Sequence, residues 1–322
     1  MHVLVTGGAG YIGSHICKTL ALKGYIPVTL DNLCLGHQWA VKWGPFIEGD
    51  IANQELLASL CKKYHFLGVI HLAAFSNVRE SQKDPLHYYQ NNVRGTLSLL
   101  EVLSQHRVPF FVLSSTCSIY GFPEEVPIDE QHPKAPTHSY GKSKWMIEQI
   151  LHSISQTQGM HVAALRYFNA SGADLDGEIG EAHDPETHLI PLLLQTALKT
   201  RSSFTLFGEN HDTPDGTPIR DFIHVHDLAQ AHVKAMEWMV SNKQNLTLNL
   251  GVGKGYSVRE VIHAVEQQLG CKIPLELAKP FPEDPPILIA NPTQAMDTLA
   301  WKPTHSDLPT LINTAWKWHK NK

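Results

Sequence analysis

The segment Thr6-Gly7-Gly8-Ala9-Gly10-Tyr11-Ile12-Gly13 follows an apolar run and opens an amphipathic one. Glycines at positions 7, 10 and 13 allow a tight turn, a close backbone approach to a pyrophosphate and close packing of the following helix. The phosphates would sit at the positive end of that helix. A glycine-rich turn carries little information alone, because turns use glycine for positive φ in any case. Here Asp31 stands at the end of the second apolar run. A carboxylate there accepts from the adenosine ribose diol and repels a 2′-phosphate, so NAD is expected rather than NADP. Asp50 and Ile51 after the third run could contact the adenine, while Asp50 could equally cap the next helix.

A second constellation lies in Ser139-Tyr140-Gly141-Lys142-Ser143-Lys144, where Tyr140 and Lys144 are four residues apart. On a helix they share one face. A phenol titrates near ~10 and is a poor base at neutral pH. Two neighbouring positive charges, the ammonium and an oxidised nicotinamide, favour the phenolate and lower that value. Such a tyrosine can take the proton of a hydroxyl while hydride leaves the carbon. Lys144 can also hydrogen-bond the nicotinamide ribose. The same spacing occurs on solvated helix faces, so the pair gains meaning only beside the glycine turn.

The elements that must hold these residues are legible as alternation. β-Branched apolar runs at 2–6, 27–30, 45–48, 68–72, 109–114 and 161–167 predict strands. Between them, 12–23, 54–64, 86–106 and 140–157 show helical spacing. Strand–helix alternation of this length predicts an α/β fold, a Rossmann-type doubly wound parallel sheet. After Phe168 the rhythm breaks into loop compositions at 172–186, 208–218 and 278–292, with helical patterns at 189–200, 227–241, 257–269 and 307–319. The expectation is an NAD-binding domain over 1–168, to which part of 219–250 returns. A smaller C-terminal α/β substrate-binding lobe would comprise 169–218 and 251–322.

With these elements in place the chain resembles the extended short-chain dehydrogenase/reductase family. The glycine spacing carries the resemblance, with His71-Leu72-Ala73-Ala74, Asn91-Asn92-Val93 and Ser114-Ser115-Thr116. It implies a cofactor site of Gly7, Gly10, Tyr11, Ile12, Gly13, Asp31, Asn32, Asp50, Ile51, Leu72, Ala73, Ala74, Asn91, Ser114, Tyr140, Lys144 and Tyr167. It also implies that Thr116 orients a substrate hydroxyl for Tyr140, with Ser115 sharing that work. Dehydratases of the family carry an acidic pair after the threonine. Here Cys117-Ser118 stands there, which disfavours elimination of water.

Within the family the chain is most similar to the enzymes that interconvert UDP-galactose and UDP-glucose at C4. The segments responsible include Asp31-Asn32-Leu33, Arg166-Tyr167-Phe168-Asn169, His188-Leu189-Ile190-Pro191 and the run from Asp215 to Val225. This likeness implies tightly held NAD, a 4-keto sugar, and a UDP-sugar site of Thr116, Tyr140, Asn169, His188, Leu189, Phe207, Arg220 and Asp284. From its residue type alone, Arg220 is a phosphate clamp or a structural salt bridge. One departure stands out: family members carry an arginine in an Arg-x-Gly-Asp segment, and Phe281 occupies its place in the stretch 280–285. Competing readings are another NAD-dependent nucleotide-sugar epimerase or decarboxylase, or a non-catalytic NAD-binding regulator.

Composition narrows the field further. A hydrophobic fraction of 43% and a charged fraction of 18% are those of a globular protein. The net charge of -5 offers no basic surplus for nucleic acid or anionic lipid. Five scattered cysteines suggest neither a disulfide framework nor a zinc knuckle, and a reducing compartment. No signal-peptide pattern opens the chain and no apolar run is long enough to span a bilayer, so a cytoplasmic enzyme is expected. Histidines 224 and 226 at a strand end are expected to be hydrogen-bonded rather than metal-bound, and no metal site is expected. The helices near 86–106 and 140–157 could form a homodimer contact.

Overall fold

The computed structural model describes residues 1–281 and 284–321. Strand β1 (His2–Thr6) runs into α1 (Tyr11–Leu22), followed by β2 (Ile26–Asp31), β3 (Phe46–Glu48), α2 (Gln54–Tyr64) and β4 (Gly68–His71). Two short helices, α3 (Val78–Lys83) and α4 (Pro85–Tyr88), lead through a π-helical stretch, Tyr89–Arg94, into α5 (Gly95–Gln105). Then come β5 (Phe110–Thr116), α6 (Ser139–Gln158), β6 (His161–Tyr167) and β7 (Asn169–Ser171). The remainder comprises α7 (Leu189–Ala197), β8 (Phe204–Phe207), β9 (Ile219–His224), α8 (Val225–Asn242), β10 (Leu246–Leu250) and β11 (Gly255–Ser257). The chain ends with α9 (Val258–Leu269), β12 (Leu275–Ala278), β13 (Ile287–Leu288), α10 (Thr293–Leu299) and α11 (Leu308–Lys320).

Seven strands form one parallel sheet in the order β10-β6-β5-β4-β1-β2-β3. The order reverses between β1 and β4, the place where open α/β sheets bind ligands beyond the strands' carboxyl ends. Period-two alternation builds the layers. Val3 and Val5 of β1 face a core shared with Ile16 and Leu20 of α1 and Leu228 and Met236 of α8. Leu4 between them faces the other core, with Leu57 of α2, Leu99 and Leu103 of α5 and Ile147 of α6. The expected doubly wound sheet is therefore the one observed. A separate apolar cluster joins α7, α9 and α11 with Phe204 of β8 and Phe222 of β9.

The differences from the sequence reading are local. The predicted helix over 86–106 is helical throughout but carries the π-helical stretch, an insertion that often marks functional positions. Asn92 within it donates to the Phe75 carbonyl and the Ser143 hydroxyl, both at 3.0 Å, which ties this stretch to α6. Apart from the strand end expected near His224, which is that of β9, strands β7 to β13 have no counterpart among the predicted strands. β13 spans only Ile287–Leu288 and β11 only Gly255–Ser257; such pairing segments are too short to show a periodicity. β10 pairs with β6 and joins the large sheet, whereas β9 pairs with β7, β11 and β13 in a four-stranded one.

Candidate active site

A cavity of about 760 Å³ opens at the carboxyl ends of the central strands, a size that holds a cofactor or drug-sized ligand. Its wall begins at the glycine turn. Gly7 has φ +73, and a Cβ there would lie 2.7 Å from the Ala73 nitrogen. A Cβ on Gly13 would meet the Gly7 carbonyl oxygen at 2.1 Å. Both positions therefore admit only glycine. Gly10 caps α1 without a side-chain acceptor, so the first-turn amides of this helix face the cavity as an anion site.

Asp31 ends β2 and is nearly buried. Its carboxylate accepts from Ala9 N at 3.0 Å and Leu33 N at 2.9 Å, which fixes its direction. Burial raises its pKa, against those two amides. Asn32 donates to Asp50 at 2.9 Å. Helix α2 is capped by Asn53, whose side chain accepts from Leu56 N; Asp50 does not cap it and instead lines the cavity. The glycine turn, the uncapped helix and the Asp31 carboxylate are the donor and acceptor set that an NAD adenosine diphosphate needs.

Tyr140 and Lys144 lie on the first turns of α6 and both line the cavity. The Thr116 side chain, at the end of β5, lies beside the Tyr140 phenol. Lys144 Nζ donates to the Ser114 carbonyl at 2.9 Å. The lowering of the phenol expected from Lys144 and an oxidised nicotinamide together is not supplied by the protein alone. Burial, followed by the neighbouring Tyr167, pushes the Tyr140 phenol well above its ordinary value, and the neighbouring Thr116 hydroxyl only opposes this. Burial likewise pushes the Lys144 ammonium down to about 8.

Most of the residues singled out from the sequence meet at this cavity. Ser114, Ser115, Leu189 and Phe207 are not among its lining residues. Ser115 is fully buried and its hydroxyl donates to Glu148 at 2.5 Å, so its expected part in orienting the substrate does not fit this geometry. The Ser114 hydroxyl contacts the Tyr167 phenol and His232, both at 3.2 Å. Leu189 packs against the core of the small lobe. Phe207 packs against Phe281 at 4.9 Å between ring centroids.

Glu148 also receives Arg166 in a buried ion pair, at 2.7 Å from NH2. This pair holds α6 against β6 one turn beyond Lys144. Arg220 lines the cavity and pairs with Asp284, so both roles considered for it are compatible with its position. In the stretch around Phe281, Pro282 and Glu283 lie outside the described residues. His224 has both ring nitrogens engaged, with His226 N and the Thr314 hydroxyl, each at 3.0 Å.

Two groups of cavity residues contain members with no reading in the sequence, namely Arg79 and, beside the expected His188, Glu181 and His183. Arg79 of α3 places its guanidinium 3.7 Å from the Phe281 ring centroid and 4.3 Å from that of Phe207. Glu181, His183 and His188 line the wall before α7. The repeat Glu-x-His at 181 and 186 was the available signal for the second group; nothing local marks Arg79, because its aromatic partners are distant in sequence.

Residues 3–251 match the model of the NAD dependent epimerase/dehydratase family. Among curated relatives, a UDP-glucose 4-epimerase of Rhizobium leguminosarum bv. trifolii is 46% identical over 317 residues, covering 98% of this chain and 97% of its own. A crystal structure of UDP-glucose 4-epimerase from Brucella ovis in complex with NAD superposes with TM-score 0.95 at 47% identity, over 98% of this chain and 97% of that one. The Stenotrophomonas maltophila UDP-glucose-4-epimerase with bound NAD and formylated UDP-arabinopyranose has TM-score 0.96 at 36% identity, over 100% of this chain and 98% of that one.

Proposed function

Because the chain belongs to the NAD dependent epimerase/dehydratase family, we propose that it interconverts UDP-galactose and UDP-glucose by C4 epimerisation through a 4-keto sugar. The observation that carries this reading is the meeting of Tyr140, Lys144 and Thr116 with the glycine turn and Asp31 in the wall of one cavity. When bound, NAD supplies an acceptor and donor of hydride and a cationic nicotinamide whose charge opposes the burial that raises the Tyr140 phenol. Tyr140 takes and returns the proton of the 4-hydroxyl. Thr116 holds that hydroxyl and the phenol in one hydrogen-bonded line, and Lys144 holds the nicotinamide ribose.

The remaining side chains select the substrate. Asn169, His188 and Arg220 line the same cavity, and in this reading they address the sugar diphosphate. Arg79, 3.7 Å from the Phe281 ring centroid, provides a further cation in the same cavity wall, where Arg220 is already paired with Asp284. Cys117 and Ser118 line the cavity, and neither can serve as the acid–base pair of a dehydratase. Incubation of the purified protein with UDP-galactose is expected to yield UDP-glucose; recovery of unchanged UDP-galactose would falsify the assignment.

The same reading places NAD on the seven-stranded sheet and the sugar nucleotide against the lobe formed by 169–218 and 251–322, with β10 belonging to the former. The unpaired Cys17, Cys61 and Cys117, all buried, agree with a reducing cytoplasm. Among the described residues no helix is long and apolar enough to cross a membrane. A homodimer through the α4–α5 and α6 stretches accounts for the apolar side chains these expose, Leu86, Leu97 and Met146.

A further inference from the structure

The loop between β7 and α7 brings four side chains together that the epimerase chemistry does not use as a group. His183 Nδ1 lies 3.0 Å from a Glu181 oxygen, and His188 Nδ1 lies 2.7 Å from the same atom. His188 Nδ1 is also 2.9 Å from Glu186. One ligand atom from each of the four falls within 4.8 Å of the others. The two carboxylates are the buried members, each 4% exposed, whereas the His183 and His188 rings are 31% and 48% exposed.

Two carboxylates removed from water need compensating charge. Against the effect of burial, Glu181 raises the His188 imidazole well above its ordinary pKa, so its protonated ring offsets one of the two charges and leaves the other. A divalent cation between two carboxylates and two neutral imidazoles is balanced, and four donors in this proximity suit four-coordinate geometry. The surroundings hold the donors in place. Glu186 accepts from the Thr187 and His188 amides at 2.8 Å. The Trp318 indole donates to the Glu181 carbonyl at 2.8 Å, and a His37 ring nitrogen lies 2.6 Å from the Ala182 carbonyl. Anchored donors of this kind are what raises metal affinity.

We propose that Glu181, His183, Glu186 and His188 form a structural site for a zinc-type divalent cation. Two nitrogen donors select a borderline first-row metal over magnesium or calcium, which take oxygen ligands. Glu181, His183 and His188 also line the cavity, so the ion would lock the segment that closes its wall beside Tyr11. This site stands whether or not the sugar assignment above is correct.

The test is metal binding by the intact protein, read without turnover. Protein dialysed in metal-free buffer is expected to retain about one zinc per chain, and cobalt added after chelation is expected to give the visible ligand-field bands of a tetrahedral site. His183→Gln and Glu181→Gln should each weaken zinc at least about tenfold, since loss of an outer-sphere partner alone costs that much. Retained NAD in each variant serves as the check on folding. With 20 histidines in the chain, adventitious binding elsewhere is a real outcome, and it would survive both substitutions. Cobalt bands unchanged in both variants, or only trace zinc with no cobalt bands in the parent protein, would overturn the proposal.

Discussion

At the scale of single residues, the site is governed by burial. Tyr140 sits where its charged form is costly, so its use as a base depends on cations brought beside it. Replacing Tyr140 by Phe is expected to lower kcat at least about 100-fold while the purified variant keeps its NAD; native turnover in that variant would remove the catalytic assignment. Lys144 provides a pH signature. Its pKa is pushed down to about 8, so the ammonium is present below that value and is lost as pH rises through it. The kcat profile should therefore fall above about pH 8, with a higher break in Lys144→Arg, whose guanidinium keeps its charge. Arg79 acts on binding instead. Arg79→Ala should raise KM for UDP-galactose about tenfold with little change in kcat, the cost of one partly exposed charge-assisted contact; an unaltered KM would exclude Arg79 from the diphosphate site.

At the scale of elements, α6 is the part on which the chemistry depends, because it carries both Tyr140 and Lys144. The Arg166–Glu148 pair, at 4% and 5% exposure, fastens it to β6, and Ser115 and Tyr120 complete that network. Removing one partner leaves a buried charge uncompensated. Arg166→Leu should therefore destabilise the fold by about 3–5 kcal/mol, visible as an earlier denaturant midpoint. A midpoint unchanged from that of the parent protein would show that the pair is not needed to hold α6. The π-helical stretch has a related part: Asn92 bonds toward α6 and Phe75, and the adjacent Asn91 lines the cavity.

At the scale of the whole molecule, three apolar side chains remain exposed on neighbouring helical stretches. Leu86 is 71% exposed, Leu97 40% and Met146 45%. A self-complementary contact would cover them. The pair Leu97→Glu and Met146→Glu should shift the elution of a dimer to that of a monomer in size-exclusion chromatography. A parent protein that already elutes as a monomer would refute the dimer.

The sequence by itself determined six of the seven strands of the main sheet, the glycine turn with Asp31, and the Tyr140–Lys144 pair. Each is a local pattern: period two, period 3.6, or a fixed spacing within one turn. Only the tertiary structure decided which neighbours those residues meet. Thr116 reaches the Tyr140 phenol while Ser115, one residue earlier, turns to Glu148, because successive residues of a strand face opposite sides. Asn53 rather than Asp50 caps α2. Arg79 meets Phe207 and Phe281 from far along the chain, and burial sets the pKa values of Tyr140 and Lys144. Contacts between distant segments and the desolvation they cause are properties of the folded packing, and no spacing along the chain records them.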